Sequence, residues 1–311
     1  MKAYVVPSAG EAPAILDVDI PEPEPGEVRV RVSAASVNGF DLAVAAGYMA
    51  GYFEHRYPLV LGREFAGVVD ALGEGVEGVV IGDRVIGVVS KPHLQEGAFA
   101  EYTTAIVESG VALAPDSLSD AAAASLAHTG STALVILDTL GDIAGKTLLI
   151  VGATGGVGTL LVQLTAAAGA TVIATGRTDE GRALLRELGA AHAVDYADLE
   201  EEVRAIAPEG VDAAVHLIGD VGQVGSLVRD GGRLVSPVAY AFEGPDAERI
   251  RFATIAGYST GDGLRKLADL VDQGALRVIV DREKSLDDTE AAFAEYAADH
   301  KIGNIVVIVG G

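Results

Sequence analysis

The residues best able to do chemistry lie between Gly152 and Gly158, in the stretch GATGGVG. Gly155 and Gly158 stand at the second and third glycine positions of the spacing G-x-G-x-x-G, with Ala153 at the first. Glycine at those positions lets a backbone approach a pyrophosphate, whose charge rests against the N–H groups that open a helix. The competing reading is a tight strand-to-helix turn with no ligand. About 20 residues further on, where a ribose-reading residue belongs, the next predicted strand ends in IATGRTDE. An acidic tip would accept from the 2′-hydroxyl of NAD. Thr175, Gly176 and Arg177 offer instead a hydroxyl, open space and a fixed cation, which suits a 2′-phosphate, so NADPH is the expected cofactor. Asp179 and Glu180 supply an alternative, in which Arg177 is a surface arginine paired with them, or the acids cap the following helix.

The elements that must position these residues follow from hydrophobic periodicity. TLLIVGA precedes the loop as a strand, and Val157, Leu160, Leu161 and Leu164 follow it at helical spacing. TVIATG, AHAVDY, DAAVHLIG and GRLVSPVA alternate with helical stretches such as EGRALLRELGA, the pattern of a doubly wound parallel sheet. The first third reads differently. In EVRVRVSAASV, Val28, Val30 and Val32 alternate with Arg29 and Arg31, the period of a half-buried strand. FAGVVDALG and DRVIGVV follow between glycine turns, suggesting a small antiparallel barrel, with Pro21, Pro23 and Pro25 as a rigid connector ahead of it. GDGLRKLADLVDQGAL predicts a helix burying Leu264, Leu267, Leu270 and Val271, after which the tail NIVVIVGG rejoins the first domain. The expected division is 1–117 with 266–311, and 118–265 between them.

Composition excludes several chemistries. With no cysteine there is no disulfide, thiolate zinc ligand or cysteine nucleophile, so redox work falls to a bound cofactor. A formal charge of -23, with 22 basic residues in no dense cluster, argues against nucleic acid as a partner. No apolar run reaches the roughly 18 to 20 residues of a membrane span, and MKAYVVPSAGEAP lacks the apolar segment of a signal peptide. A soluble, cytoplasmic protein is expected.

ASVNGFD (35–41), GREFAGVV (62–69), GDRVIG (82–87), GAFAEY (97–102), GSTAL (130–134), GATGGVG (152–158), LGAAHAVDY (188–196) and HKIGNIVV (300–307) occur in an order and spacing that carry a family likeness. Together they resemble the zinc-independent quinone oxidoreductase branch of the medium-chain dehydrogenase/reductases. That resemblance implies an α/β fold in which a Rossmann doubly wound parallel sheet is inserted in a GroES-like β-barrel domain, with a cofactor cleft where the two meet. It implies a homodimer, with GRLVSPVAYAF as a candidate edge strand that Pro237 would interrupt. No metal is expected. Asn38 stands where zinc-containing members carry a ligand cysteine, Arg63 where they carry a histidine, and the segment after Gly87 is too short for their structural zinc lobe. Asp41, His55, Glu64, His93 and His128 lack close ligand spacing for an improvised site.

Carried over by position, the resemblance assigns the pyrophosphate to Thr154, Gly155, Gly156 and Val157, and the adenosine end to Tyr196. Ile218, Val238 and Ala239 would line the path to the nicotinamide, and Asn38 and Thr132 would flank the ribose or ring. Tyr48 would lie over the nicotinamide as an aromatic lid or a proton donor, with Tyr52, His55 and Tyr57 close by in sequence. Asn38 and Tyr48 are thus the expected catalytic residues, and His128 reads as a satisfied core histidine. Relatives carry Gly-Lys near the C-terminus; here Gly303 is followed by Asn304, which removes a cation. The activity implied is hydride transfer from NADPH to a quinone or other α,β-unsaturated carbonyl. Reduction of 2-enoyl thioesters and a non-catalytic NADPH-binding role are the alternatives, the former requiring basic residues for which His55 and Arg56 are the nearest pair.

Overall fold

The computed structural model describes residues 1–298 and 301–310, so His300, the first residue of the 300–307 stretch, lies outside the described residues. The chain forms two units, Met1–Ser131 with Ser259–Gly311, and Thr132–Tyr258. The division therefore differs from the expected one: 118–131 and 259–265 belong with the first unit. Arg84 explains much of this, because its guanidinium binds Asp120 at 2.7 Å and the carbonyls of Pro115 and Leu118 at 2.9 and 2.7 Å. Gly130 also packs so closely on Leu267 that an added Cβ would lie 2.7 Å from its side chain, and the Ser259 hydroxyl donates to the Ser109 carbonyl at 2.8 Å.

The first unit is built on a seven-stranded sheet around the strand Glu27–Val37. Val28, Val30 and Val32 are buried while Arg31 is exposed and Arg29 reaches Asp70, so the alternation in sequence is the alternation of faces. This strand pairs antiparallel with Glu64–Leu72, Tyr102–Ile106 and the C-terminal strand Asn304–Ile308. The tail thus rejoins the first unit. The sheet is not wholly antiparallel, because Asn304–Ile308 pairs parallel with Val280–Ser285. Asn304 serves this junction: it is buried, and its amide donates to the Ile279 carbonyl at 3.3 Å. Phe293 closes the core edge-on between Tyr4 and Phe99, with ring centroids 5.4 and 5.5 Å away.

The second unit is a six-stranded, wholly parallel sheet. Across it the strands run His192–Asp195, Thr171–Gly176, Thr147–Val151, Val211–His216, Val228–Ser236 and Arg251–Thr254. In chain order this is 3-2-1-4-5-6, the doubly wound Rossmann arrangement. Its central strands are almost continuously apolar because both faces are covered. GRLVSPVAYAF is not an edge. Val228–Ser236 has a partner on each side, the edges are His192–Asp195 and Arg251–Thr254, and Pro237 falls just past the strand where it interrupts no ladder. Among the described residues no helix is long and apolar enough to cross a membrane.

Candidate functional site

The glycine loop joins the first strand of the parallel sheet, Thr147–Val151, to the helix Gly156–Ala167. Its two fingerprint glycines do different work. A Cβ on Gly158 would lie 2.5 Å from the Gly152 carbonyl oxygen and 2.6 Å from Ala153 Cα, so only glycine lets this helix sit so close to the loop. A Cβ on Gly155 would meet nothing nearer than the Gly152 oxygen at 3.5 Å, which leaves that side of the backbone open to approach. Gly155 is the N-cap residue and no side chain caps the helix. An uncapped helix N-terminus behind an open glycine fits a pyrophosphate, and Thr154, Gly155, Gly156 and Val157 are the half-buried residues that border it.

The tips of the neighbouring strands are partly as expected. Thr175 is buried, and its Oγ1 accepts from the Gly152 N–H at 3.0 Å, so the hydroxyl fastens the loop rather than standing open to a phosphate. Gly176 leaves room for Arg182, whose Cγ would be 3.1 Å from an added Cβ. Arg182 binds Asp195 at 2.7 Å, Asp179 at 2.6 Å and the Gly176 carbonyl at 2.9 Å. The Ala197 N–H and Arg182 together hold Asp195 below the ordinary carboxylate range. Thr178 caps the helix Asp179–Glu187 through the Gly181 N–H, while Asp179 and Glu180 lie in its first turn. Arg177 is exposed, with its guanidinium 4.8 Å from the centroid of the Tyr196 ring, so a cation and an aromatic face stand together at adjacent strand ends.

Ile218, Val238 and Ala239 lie beyond the ends of the next two strands. Ile218 is 39% and Val238 52% exposed, which sets both apart from the core. The sequence reading passed over the residues that hold them. Buried His216 contacts Ser236 Oγ through Nδ1 and the Gly219 carbonyl through Nε2, each at 3.0 Å. Ser236 Oγ in turn accepts the N–H groups of Val238 and Ala239, at 3.1 and 2.9 Å. A histidine within the apolar run DAAVHLIG was the available signal. Thr132 is buried on the helix Ala127–Leu140 and counts with this unit.

In the first unit, Asn38 ends the strand Glu27–Val37 and caps the helix Gly39–Ala45. Its Oδ1 accepts from the Phe40 N–H at 3.2 Å and its own N–H donates to Asp41 at 3.0 Å. The remaining Nδ2 is buried with no hydrogen-bond partner among the described residues, a donor for which a ligand oxygen would be the natural acceptor. Nearby, the fully buried Glu64 accepts the N–H groups of His128 and Thr129 at 2.7 and 3.1 Å and the Thr129 hydroxyl at 2.7 Å. Burial pushes Asp41 up to about 8, Glu64 to about 7 and Tyr296 to about 12, and desolvation drives His128 down to about 3, which leaves that imidazole neutral. Tyr48 and Tyr52 are both exposed, the former 75%. No group of three or more His, Asp or Glu among the described residues is arranged to hold a metal ion.

Residues 24–116 match the alcohol dehydrogenase GroES-like domain family, and 156–257 match the zinc-binding dehydrogenase family. The chain is 31% identical to an NADPH-dependent alkenal/one oxidoreductase of Arabidopsis thaliana, over 99% of this chain and 79% of that protein. It is 30% identical to a 2-methylene-furan-3-one reductase of Solanum lycopersicum, over 94% and 74%. A solved quinone oxidoreductase from Coxiella burnetii superposes with a TM-score of 0.86 at 30% identity, covering 100% of this chain and 99% of that one. With its GroES-like and dinucleotide-binding sequences in this order and its strands in this topology, the chain belongs to the medium-chain dehydrogenase/reductase superfamily, among its quinone and alkenal oxidoreductases.

Proposed function

We propose that the protein is an oxidoreductase that reduces a quinone or another α,β-unsaturated carbonyl with NADPH and uses no metal. The observation that carries the reading is the uncapped helix behind Gly155, followed at the next strand tips by Arg177 stacked on Tyr196. The printed names of the relatives point the same way. Thr154, Gly155, Gly156 and Val157 would hold the pyrophosphate through backbone N–H groups. Arg177, with Thr175 and Gly176 shaping the strand tip beneath it, would take the 2′-phosphate, and Tyr196 would support the adenosine end. Ile218, Val238 and Ala239, pinned by His216 and Ser236, would border the nicotinamide end. Asn38 Nδ2 supplies a buried donor for the ring or ribose, Thr132 a hydroxyl, and Tyr48 an exposed aromatic able to cover the ring. Bound in this way, NADPH supplies hydride to an electron-poor carbon.

The chain has no tryptophan, so the fluorescence of bound NADPH can be followed without that background. Arg177→Ala is expected to weaken NADPH about 10- to 100-fold, the loss of a charge-assisted contact, and to leave NADH nearly unchanged. An unchanged NADPH preference would remove Arg177 from the site. Turnover with a panel of quinones and enones tests the activity; tight NADPH binding with no turnover of any substrate would favour the non-catalytic alternative. Enoyl thioester reduction is the weaker alternative, since Arg56 is already bound to Glu54 at 2.9 and 3.2 Å. The protein is further expected to act in the cytoplasm as a homodimer. The edge strand Arg251–Thr254 is where a second copy would extend the parallel sheet, and a monomer in sedimentation velocity would overturn this.

A further inference from the structure

Arg63 is a cation with few acceptors. Its guanidinium lies 4.1 Å from the centroid of the Phe40 ring, and its Nε is buried with no hydrogen-bond partner among the described residues. Desolvation lowers its pKa from the ordinary arginine value. It borders a partly open cavity within the first unit, with enclosed room for about one water, whose walls include the apolar Phe40, Val44, Leu59, Val89 and Leu94 and the carboxyl groups of Asp41 and Glu96. A buried donor left without an acceptor costs about 1–3 kcal/mol, so the Arg63 Nε–H favours an oxygen brought into that space.

We propose that this cavity receives the carbonyl oxygen of the substrate and that Arg63 donates to it, an assignment that rests on the quinone and enone reading above. When hydride reaches the electron-poor carbon, a C–H bond forms there, the C=C pair moves toward the carbonyl, and negative charge collects on its oxygen. A proton from water then completes the reduced product, and the dihydronicotinamide has been oxidised. The guanidinium offers planar, fixed donors to that oxygen and keeps its own proton. Burial raises Asp41, which also lines the cavity, to about 8, so it competes for Arg63 less than an ordinary carboxylate would.

The test uses the protein saturated with NADP⁺ and two unreactive probes of nearly equal shape, the oxyanion 4-nitrophenolate and the neutral 4-nitroanisole. Wild type is expected to favour the phenolate by about tenfold or more, the scale of a charge-assisted hydrogen bond. In arginine labelled with nitrogen-15, one Nε–H resonance, assigned by its absence in Arg63→Lys, is expected to shift on phenolate binding. Arg63→Met should lose about 10- to 100-fold in phenolate affinity and keep its affinities for nitroanisole and NADPH. Its turnover should fall about 10²- to 10³-fold, as for removal of an oxyanion donor. Equal phenolate affinity in wild type and Arg63→Met, or an unmoved Nε–H resonance, overturns the proposal. Should Arg63→Met not fold, the wild-type probe ratio and the resonance shift decide. Wild type that shows the shift but reduces no quinone or enone leaves the anion site standing and removes the reading of function.

Discussion

Glu64→Ala is expected to lower the unfolding free energy by roughly 3–5 kcal/mol, since each buried donor left without an acceptor costs about 1–3 kcal/mol. The carboxylate has no solvent access, and one of its oxygens, Oε2, takes both the His128 and Thr129 N–H groups at the start of the helix Ala127–Leu140. Those groups belong to a helix's first turn and have no partner within it. Alanine would orphan both, and the Thr129 hydroxyl with them. Glu64→Gln should cost only about 1 kcal/mol, because an amide oxygen in the place of Oε2 still accepts both N–H groups and the amide NH₂ can donate to Thr129 Oγ1. Urea unfolding with an unchanged m-value measures both differences. An alanine variant within about 1 kcal/mol of wild type would show that water replaces the carboxylate without loss.

The second large effect is a stability that falls as pH rises from about 5 to about 8. Burial lifts Asp41 from 3.8 to about 8, opposed by the Asn38 N–H, and lifts Glu64 from 4.5 to about 7, opposed chiefly by Thr129. Between the unfolded and folded values each carboxyl is protonated in the native protein and ionised in the unfolded chain. The native state therefore holds more protons, and raising the pH through that window favours unfolding. Each such group contributes a slope of about 1.4 kcal/mol per pH unit, full between the two values and gone above the folded one. The two carboxyls are coupled, and the proton uptake belongs to the pair. Asp41→Asn should reduce the slope between pH 5 and 7 by about one proton's worth, seen as converging urea midpoints at pH 5, 6, 7 and 8. An undiminished slope would place the uptake elsewhere, for instance in the general repulsion of a chain carrying -23 charges.

Local patterns were legible in the sequence and partnerships across strands were not. The strand Glu27–Val37 coincides with EVRVRVSAASV because one buried face imposes a period of two on the residues themselves. The glycine loop was readable for the same reason, since its requirements fall within seven consecutive positions. Strand order leaves no such mark: GRLVSPVAYAF read as a candidate edge, yet its strand, Val228–Ser236, is interior, because Arg251–Thr254, with only half-buried and exposed residues, is held in place by the pairing itself. Spacing and position singled out Arg177 and Tyr196, which stand together at adjacent strand ends. Arg182, His216 and Ser236 escaped because their partners arrive on parallel neighbours, 13 residues away for Asp195 and 20 for Ser236. Thr175 was placed correctly at the strand tip, yet its hydroxyl is engaged by Gly152, which no spacing rule reveals.

The two glycines of the loop carry different kinds of information about ancestry. A chain of this fold that had abandoned its cofactor would still need a glycine at 158, because the obstacle there is the loop's own backbone at 2.5 Å. At 155 such a chain could drift to alanine without strain, since among the described residues a Cβ there would meet the Gly152 oxygen only at an ordinary 3.5 Å and φ is -72°. Retention of the later glycine therefore reports descent, whereas retention of the earlier one reports use.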